Sequence, residues 1–460
     1  MKKIITLLIL FCFYSSAIFG QDIEFLNSDE DTVKYHPEIN SYFKKSSIII
    51  PISEIAGMNS GLCLFNRFVS QENFAKISFS SVANNFKKGF VWDNDFFVVN
   101  QFAHPYHGNI YFNTARSNGY SFWESVPFTL GGSLMWEMFM ETDPPQTNDL
   151  VSTTLGGVML GEITYRLSSL ILDESKRGFE RTSREILGAV INPARGFNRL
   201  IRGDINRHTK YNVNDVYPFT SKLNIGYAEI NPRKKFSFEK NNYLAELSVI
   251  YFKNLSSNDY KPFDVFRLKL GIDAQEEDTP SSWVDVYGIL YGKRLITLKD
   301  KVLVLGLFQD FDFYNNSIYK LGAQSAGPGI IMKIPVTKKI NFAANVHANL
   351  IILSALNSIY RGENRDYDFL MGSKILTEGI LDVGPFSLQI EYKFYWMKSI
   401  NGIEGKHTMG ILNPKLFLNI YKGLGAGAEY LFYHRHSVYK NIETTNLNLT
   451  EHRFYVSYWL

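Results

Sequence analysis

The sequence is poor in cysteine, which limits both covalent crosslinks and thiolate sites. It has two cysteines in 460 residues, Cys12 and Cys63. Cys12 lies in a leader segment that we expect to be cleaved, so one thiol would remain in the mature chain. A single cysteine excludes an intrachain disulfide and any metal site built on several thiolates.

Charge is sparse and balanced. Charged residues make up 20% of the chain, and the formal net charge is +3 at pH 7. Loss of Lys2 and Lys3 with the leader would lower the net charge to about +1. A nearly neutral chain has no global attraction for nucleic acid, and we predict no nucleic-acid partner. After the leader, no uninterrupted apolar run is long enough for a membrane helix.

Residues 1–20 have the pattern of a secretory signal peptide. Lys2 and Lys3 precede an apolar run, 4–13, and small residues follow up to Gly20. This order of basic, apolar and small residues predicts export and cleavage after Gly20. An uncleaved anchor helix is disfavoured because the apolar run is short. Residues 21–46 lack periodicity and carry an acidic cluster, which predicts a flexible arm.

Residues 47–210 have a helical pattern. Capping residues at 147–149 precede a predicted helix over 150–172, which has three glycines on one face. Small residues let a second backbone approach closely, and we expect the partner to be a helix over 121–141. A third amphipathic helix is predicted over 182–192, before Pro193.

Residues 218–460 change to a period of two. The clearest case is the run 386–397. Its apolar residues are Phe386, Leu388, Ile390, Tyr392, Phe394 and Trp396. They alternate with Ser387, Gln389, Glu391, Lys393, Tyr395 and Met397. Such a run is longer than most strands of soluble domains and matches the roughly 9–11 residues of a tilted membrane strand. Similar rows recur through the segment, and its length predicts on the order of 12 strands.

These patterns predict a mainly β protein with an α-helical N-terminal domain. We expect an antiparallel transmembrane β-barrel, with the helices plugging it or docking under it. A soluble sandwich is disfavoured because charges repeat along one face of long strands, which a barrel lumen tolerates. The last strand, with Phe454, Val456, Tyr458 and Leu460 toward lipid, resembles the terminal signal read by barrel-assembly machinery. The predicted location is the outer membrane of a Gram-negative bacterium, in contact with its lipid.

Three segments of the helical region carry a family resemblance. They are H-P-Y-H-G-N-x-Y-F from His104, A-R-S-x-G-x-x-F-W-E-S from Ala115, and N-D-L-x(5)-GG-x(3)-GE from Asn148. Over about residues 95–205 the chain resembles a family of uncharacterised Gram-negative, Bacteroidetes-like envelope proteins, classed as a domain of unknown function. The resemblance implies an envelope location and a barrel after the helices, and it brings no activity.

The same segments hold the candidate catalytic residues: His104, His107, Glu124, Glu137 and Glu162. A histidine and a glutamate can form a zinc site or a general-base pair. The spacing matches no recognised zinc or nucleophile motif, and we assign no metal and no cofactor. The alternative is structural: the histidines bond across helix ends and Glu–Arg pairs lock helices together. Arg116, Asp149 and Arg166 are candidate binding residues.

A basic stretch, 175–210, is predicted to meet anionic lipid headgroups. The candidate headgroup residues are Arg177, Arg181, Arg184, Arg195, Arg199 and Arg202. The alternatives are a solvated helix with a linker, and pairing with acids of the barrel lumen. Two function classes therefore remain open. One is a structural or transport barrel with a helical plug or periplasmic domain. The other is a membrane-anchored enzyme or binding module acting on a lipid or cell-wall component.

Overall fold

The computed structural model describes residues 44–214, 218–230, 243–252, 257–274, 281–298, 301–316, 318, 320–359, 364–421 and 423–459. The predicted signal peptide and Leu460 lie outside the described residues, as does nearly all of the predicted arm. The described residues form two compact units: a helical unit within 44–214, to which Arg365 also belongs, and a β unit from 218 to 459.

The helical unit contains seven α-helices in its described residues: α1 Ile49–Phe68, α2 Phe79–Lys88, α3 His104–Ser117, α4 Phe122–Phe139, α5 Thr147–Ile171, α6 Gly178–Ile191 and α7 Pro193–Ile201. A π-helical turn, Val99–Ala103, leads into α3, and a 3₁₀ turn, Asp204–Asn206, follows α7. The helices predicted over 121–141 and 150–172 are confirmed as α4 and α5. Pro193 ends the predicted third helix and begins α7, because a proline is tolerated in the first helical turn.

The glycine face of α5 packs against α3, so the partner predicted from the sequence is wrong. A Cβ added to Gly108 of α3 would lie 1.8 Å from the carbonyl oxygen of Thr153, and one added to Gly157 would lie 2.5 Å from the Gly108 Cα. Gly161 faces the ring of Phe112, also on α3. The two backbones therefore touch where only glycine fits.

The β unit is one antiparallel sheet of twelve strands among the described residues: β1 Phe219–Ile230, β2 Tyr243–Phe252, β3 Val265–Ala274, β4 Ser281–Leu298, β5 Lys301–Asn315, β6 Lys320–Thr337, β7 Ile340–Asn357, β8 Tyr367–Val383, β9 Phe386–Asn401, β10 Gly405–Tyr421, β11 Leu424–Tyr439 and β12 Thr445–Trp459. Each strand pairs with the next, and β12 pairs with β1, where Tyr227 lies opposite Phe454. A short strand, Asp259–Tyr260, adds to β4. The sheet is thus a closed barrel, which confirms the predicted fold class.

Side chains alternate across the barrel wall as the sequence predicts. On β9, Phe386, Leu388 and Ile390 are exposed outside, whereas Glu391 and Lys393 are buried inside. The last strand has the same pattern, with Phe454, Val456 and Tyr458 exposed. Closure satisfies the backbone hydrogen bonds, and the exposed outer rows are apolar, as a transmembrane barrel requires. Among the described helices, none is both long and apolar enough to span a bilayer.

Candidate functional site

Three helices of the helical unit bring His104, Glu137 and Asp149 together. His104 is the first residue of α3, Glu137 lies near the end of α4, and Asp149 lies in the first turn of α5. One donor atom from each residue lies within 4.8 Å of the other two. His104 Nε2 is 3.5 Å from Asp149 Oδ1. Both carboxylates are buried. We call these three residues the His–Glu–Asp group.

Short-range hydrogen bonds hold the two carboxylates in place. The backbone nitrogen of Gln146 donates to Glu137 Oε2 at 2.9 Å. Asn148 Nδ2 donates to Asp149 Oδ1 at 2.7 Å, and Asn148 Oδ1 accepts from the backbone nitrogen of Asp93 at 3.0 Å. With its amide oriented to satisfy both acids, the Gln146 side chain donates to Glu137 and Asp149 at 2.9 Å each. The start of α5 is therefore folded around this pair of acids.

The surroundings of the His–Glu–Asp group disfavour charge. Burial, with repulsion from neighbouring acids, raises the pKa of Glu137 and of Asp149 well above the ordinary carboxyl range. The same causes raise the pKa of Glu141 to about 7 and that of Asp95 to about 6. Burial lowers the pKa of His104 to about 3. A neutral imidazole beside two crowded carboxyl groups is a donor set that suits a divalent metal such as zinc.

His107 lies one turn along α3 and is not part of the group. Its ring centroid is 4.5 Å from that of Tyr111 and 5.3 Å from that of Trp136. Its Nε2 is buried and has no hydrogen-bond partner among the described residues. Burial lowers the pKa of His107 to about 4. It packs as a neutral ring between two aromatic side chains.

Glu162 forms a separate buried ion-pair cluster with Arg116 and Arg166. Arg116 Nε and Nη2 donate to the two Glu162 oxygens at 2.8 and 3.0 Å, and Arg166 Nε donates to Oε1 at 2.9 Å. The Arg116–Glu162 pair joins α3 to α5. This geometry fits the structural interpretation, in which Glu–Arg pairs lock helices together.

Glu124 also lies outside the His–Glu–Asp group. Its side chain accepts from the backbone nitrogen of Ser121 at 2.9 Å and completes the capping box of α4. It also pairs with Lys45 at 2.7 Å, in an exposed position. Of the five candidate catalytic residues, the structure thus brings only His104 and Glu137 together, and it adds Asp149 from the binding candidates.

Four of the predicted headgroup residues are buried, so that part of the prediction is wrong. Arg181 pairs with Glu185, and Arg199 pairs with Glu185 and Glu174 at 2.7 and 2.8 Å. The other two form internal bonds as well: Arg184 Nη1 donates to a carbonyl oxygen of α5, and Arg195 Nη1 to two serine hydroxyls there. Because they are buried and bonded to groups inside the fold, Arg184, Arg195 and Arg199 are not available to a lipid phosphate. Arg177 and, in part, Arg202 stay exposed.

The barrel lumen holds a second set of charged residues. Arg267 on β3 donates to Glu378 on β8 at 2.6 Å and to Glu391 on β9 at 2.7 Å. It also pairs with Asp285 on β4 at 3.3 Å. Five strands separate β3 from β9 in either direction round the barrel. The Arg267–Glu391 pair therefore crosses the lumen.

The alternation on β9 predicts Glu391 and Lys393 on the inner face, but the sequence does not indicate the ion-pair network that they join. Lys374 pairs with Asp310 and Asp312 at 2.9 and 2.6 Å, and Lys393 pairs with Asp312 at 3.1 Å. The period of two could have placed these residues on the inner face. It carries no signal for which strands meet across the lumen.

Comparison with known proteins gives weak similarities for the barrel and a specific match for the helices. The chain is similar to NanC porin, with 14% identity over 52% of this chain and 98% of that one, at a TM-score of 0.29. It is similar to KdgM porin, with 10% identity over 52% of this chain and 98% of that one, at a TM-score of 0.23. It is also similar to OmpT, an outer membrane protein of Vibrio cholerae. The identity is 9% over 53% of this chain and 97% of that one, at a TM-score of 0.26.

No curated protein matches the chain. The barrel architecture therefore rests on the strand pairing itself. The predicted family resemblance is confirmed for the helical region: residues 89–194 match the family model DUF3943, a domain of unknown function, and a β-barrel follows it.

Proposed function

We propose that this protein is a structural outer-membrane barrel of a Gram-negative bacterium, which anchors its DUF3943 unit in the cell envelope. The observation that carries the proposal is the Arg267–Glu391 ion pair across the lumen. The closed sheet and its apolar outer rows support insertion in a bilayer. The leader sequence supports export, and export with a barrel is typical of the outer membrane.

The lumen charges are arranged to neutralise one another. Arg267, Lys374 and Lys393 each contact at least two acids, and all three side chains are buried. Lys269 adds a further bond to Glu391 at 2.8 Å. Paired charges packed across the interior leave little room for a hydrated solute at this level. Transport would require these pairs to separate, so a structural role fits the geometry better than an open pore.

We expect the wild-type protein to give no steady conductance steps in a planar lipid bilayer. The double variant Arg267→Ser and Glu391→Ser removes both sides of the crossing pair together, and it should conduct because water can enter the space. Heat-modifiable gel mobility checks that both proteins have folded as barrels. Stable ion conduction by the folded wild type would contradict the structural role and favour transport.

A second candidate function is divalent-cation binding in the helical unit, and the His–Glu–Asp group favours it. An anchored enzyme or binding module for a lipid or cell-wall component would need such a centre. His104 would supply a nitrogen ligand, and Glu137 and Asp149 would supply carboxylate oxygens. A bound zinc ion would provide Lewis-acid chemistry, while the neutral His104 ring and the fixed carboxylates orient what binds there.

Zinc binding to the detergent-solubilised full chain is the measurement for this candidate. We expect about one zinc per chain after equilibrium dialysis. Glu137→Gln should weaken binding by more than about tenfold, because it removes one anionic ligand. Glu124→Gln is the matched control, since the same change is made on the exposed cap of α4, and it should bind as wild type. No retained zinc, or equal loss in both variants, would exclude the site.

A further inference from the structure

Three helices of the helical unit turn apolar side chains outward and polar ones inward. On α2, Phe79 is 99% exposed and Phe86 is also exposed. The neighbouring Asn85 is buried, and its Nδ2 donates to the carbonyl oxygen of Glu141 at 3.0 Å. A helix on the surface of a soluble domain has the opposite arrangement, with its apolar stripe toward the core.

The same inversion occurs on α6. Phe179 is 77% exposed, and Ile186 and Val190 are exposed on the same side. Arg181 and Arg184 lie on the opposite side and are buried. Residues 179, 186 and 190 are spaced by seven and four, so they form one stripe along the helix. The charged stripe of α6 is therefore its inner face.

Helix α7 repeats the pattern over two turns. Phe197, Leu200 and Ile201 are exposed, whereas Arg195 and Arg199 are buried. Across residues 44–214, buried polar and charged side chains outnumber buried hydrophobic ones. Single exposed hydrophobic residues are ordinary on proteins, but stripes on several helices mark a contact with something apolar.

Basic side chains lie beside these apolar stripes. An open cleft of about 310 Å³ at the start of α6 is lined by Lys176, Arg177, Arg207 and His208, among others. Lys87 and Lys88 end α2, close in sequence to Phe86. Apolar faces bordered by cations match a leaflet that contains anionic phospholipid.

We propose that α6 and α7, which pack against each other, lie in the headgroup region of a phospholipid leaflet, with their apolar stripes in the acyl layer and the basic cleft on the phosphates. The inference rests on the membrane barrel of the proposed function, which keeps the helical unit tethered to a bilayer. Amphipathic helices with basic residues beside the apolar stripe lie in the plane of the membrane interface. A second copy fits less well, because its own basic cleft would repel this one.

Nitroxide accessibility in the full mature chain tests the proposal. Single cysteines at Phe179, Ile186 and Phe197, in a Cys63→Ser background, are spin-labelled after reconstitution into vesicles of phosphatidylcholine and phosphatidylglycerol. We expect collision rates with oxygen, which partitions into lipid, to exceed those with a water-soluble nickel chelate severalfold. A label at Glu72, an exposed polar position between α1 and α2, is the control and should favour the nickel chelate.

Two results would overturn the proposal while the barrel stays inserted. Labels on α6 and α7 that behave like the label at Glu72 would place these helices in water. Labels shielded from both reagents would place them against protein, such as a second copy. A chain without heat-modifiable mobility would instead remove the membrane barrel itself. In vesicles of phosphatidylcholine alone, the oxygen preference at Phe179 should decrease, because the basic cleft loses its anionic partner.

Discussion

Replacing Arg267 with methionine should destabilise the barrel by about 3–5 kcal/mol, because it leaves buried acids without their cation. The side chain is 2% exposed and touches Asp285, Glu378 and Glu391. Three carboxylates would then share the lumen, with Lys269 and Lys393 as the nearest remaining cations. Removing one partner of a buried ion pair costs more than the pair itself contributes, because the remaining charge stays desolvated.

Urea unfolding of the refolded protein in lipid vesicles, followed by heat-modifiable gel mobility, measures this loss. The matched control is Lys440→Met, which breaks an exposed pair with Glu404 of 2.7 Å. It should leave the unfolding midpoint unchanged, since surface ion pairs contribute little. If Arg267→Met unfolds at the same urea concentration as Lys440→Met, the lumen acids are hydrated and the barrel interior is open to water.

The strand half of the molecule was predictable because membrane strands follow one simple rule. Each residue faces either lipid or the lumen, so the period of two on β9 places Ile390 outside and Glu391 inside. The pairing across the lumen is different, because Arg267 and Glu391 are separated by 124 residues. Which strands meet depends on the strand number and the cross-section of the closed barrel. The length of the segment predicts the strand number, but no local pattern encodes the cross-section.

The helical half was predictable in its elements and less so in its packing. Helices α4 and α5 were expected, but α3 was not assigned, because Pro105 after His104 is equally consistent with a tight turn. In the structure Pro105 occupies the first turn of α3, where it needs no hydrogen-bond donor. Since α3 was missing from the sequence prediction, the glycine face of α5 was matched to α4 instead.

The candidate site shows the same limit. His104 and Glu137 were grouped correctly, but Asp149 was recognised only as a capping and binding residue. Glu124 and Glu162 were grouped with the histidines because they lie in the same motifs. Their contacts are different, since Glu124 caps a helix and Glu162 binds two arginines. Residue type and spacing do not show whether a buried acid has a cationic partner in the folded structure.

Glutamine substitutions at Glu162 and Glu137 should change the stability of the helical unit in opposite directions. Burial alone would raise the pKa of Glu162, but Arg116 and Arg166 hold it below the ordinary value of 4.5. Its contribution is present above the unfolded-state pKa and is lost as pH falls through the folded-state pKa. At about pH 8, Glu162→Gln should cost about 3–5 kcal/mol, because two buried arginines lose their anion.

Glu137 affects the stability of the helical unit in the opposite direction. Burial and the neighbouring Glu141 raise its pKa well above 4.5. The folded unit therefore keeps its proton while the unfolded chain has lost it, and stability decreases as pH rises from the unfolded-state pKa toward the folded-state pKa. Glu137→Gln removes this cost. Without metal, at about pH 8, it should raise the free energy of opening by about 1–2 kcal/mol, and the gain should vanish near pH 4.

Hydrogen exchange of α5 amides in the full chain, measured with a chelator present, tests both changes in one experiment. The two variants make the same chemical change at two buried glutamates. A general effect of losing an acid would therefore change the protection of the α5 amides in the same direction in both variants. Opposite changes in protection would show that Glu137 destabilises the helical unit and that Glu162 stabilises it. A shared loss of protection would mean that Glu137 also has a cationic partner, and the His–Glu–Asp group would then need no metal to balance it.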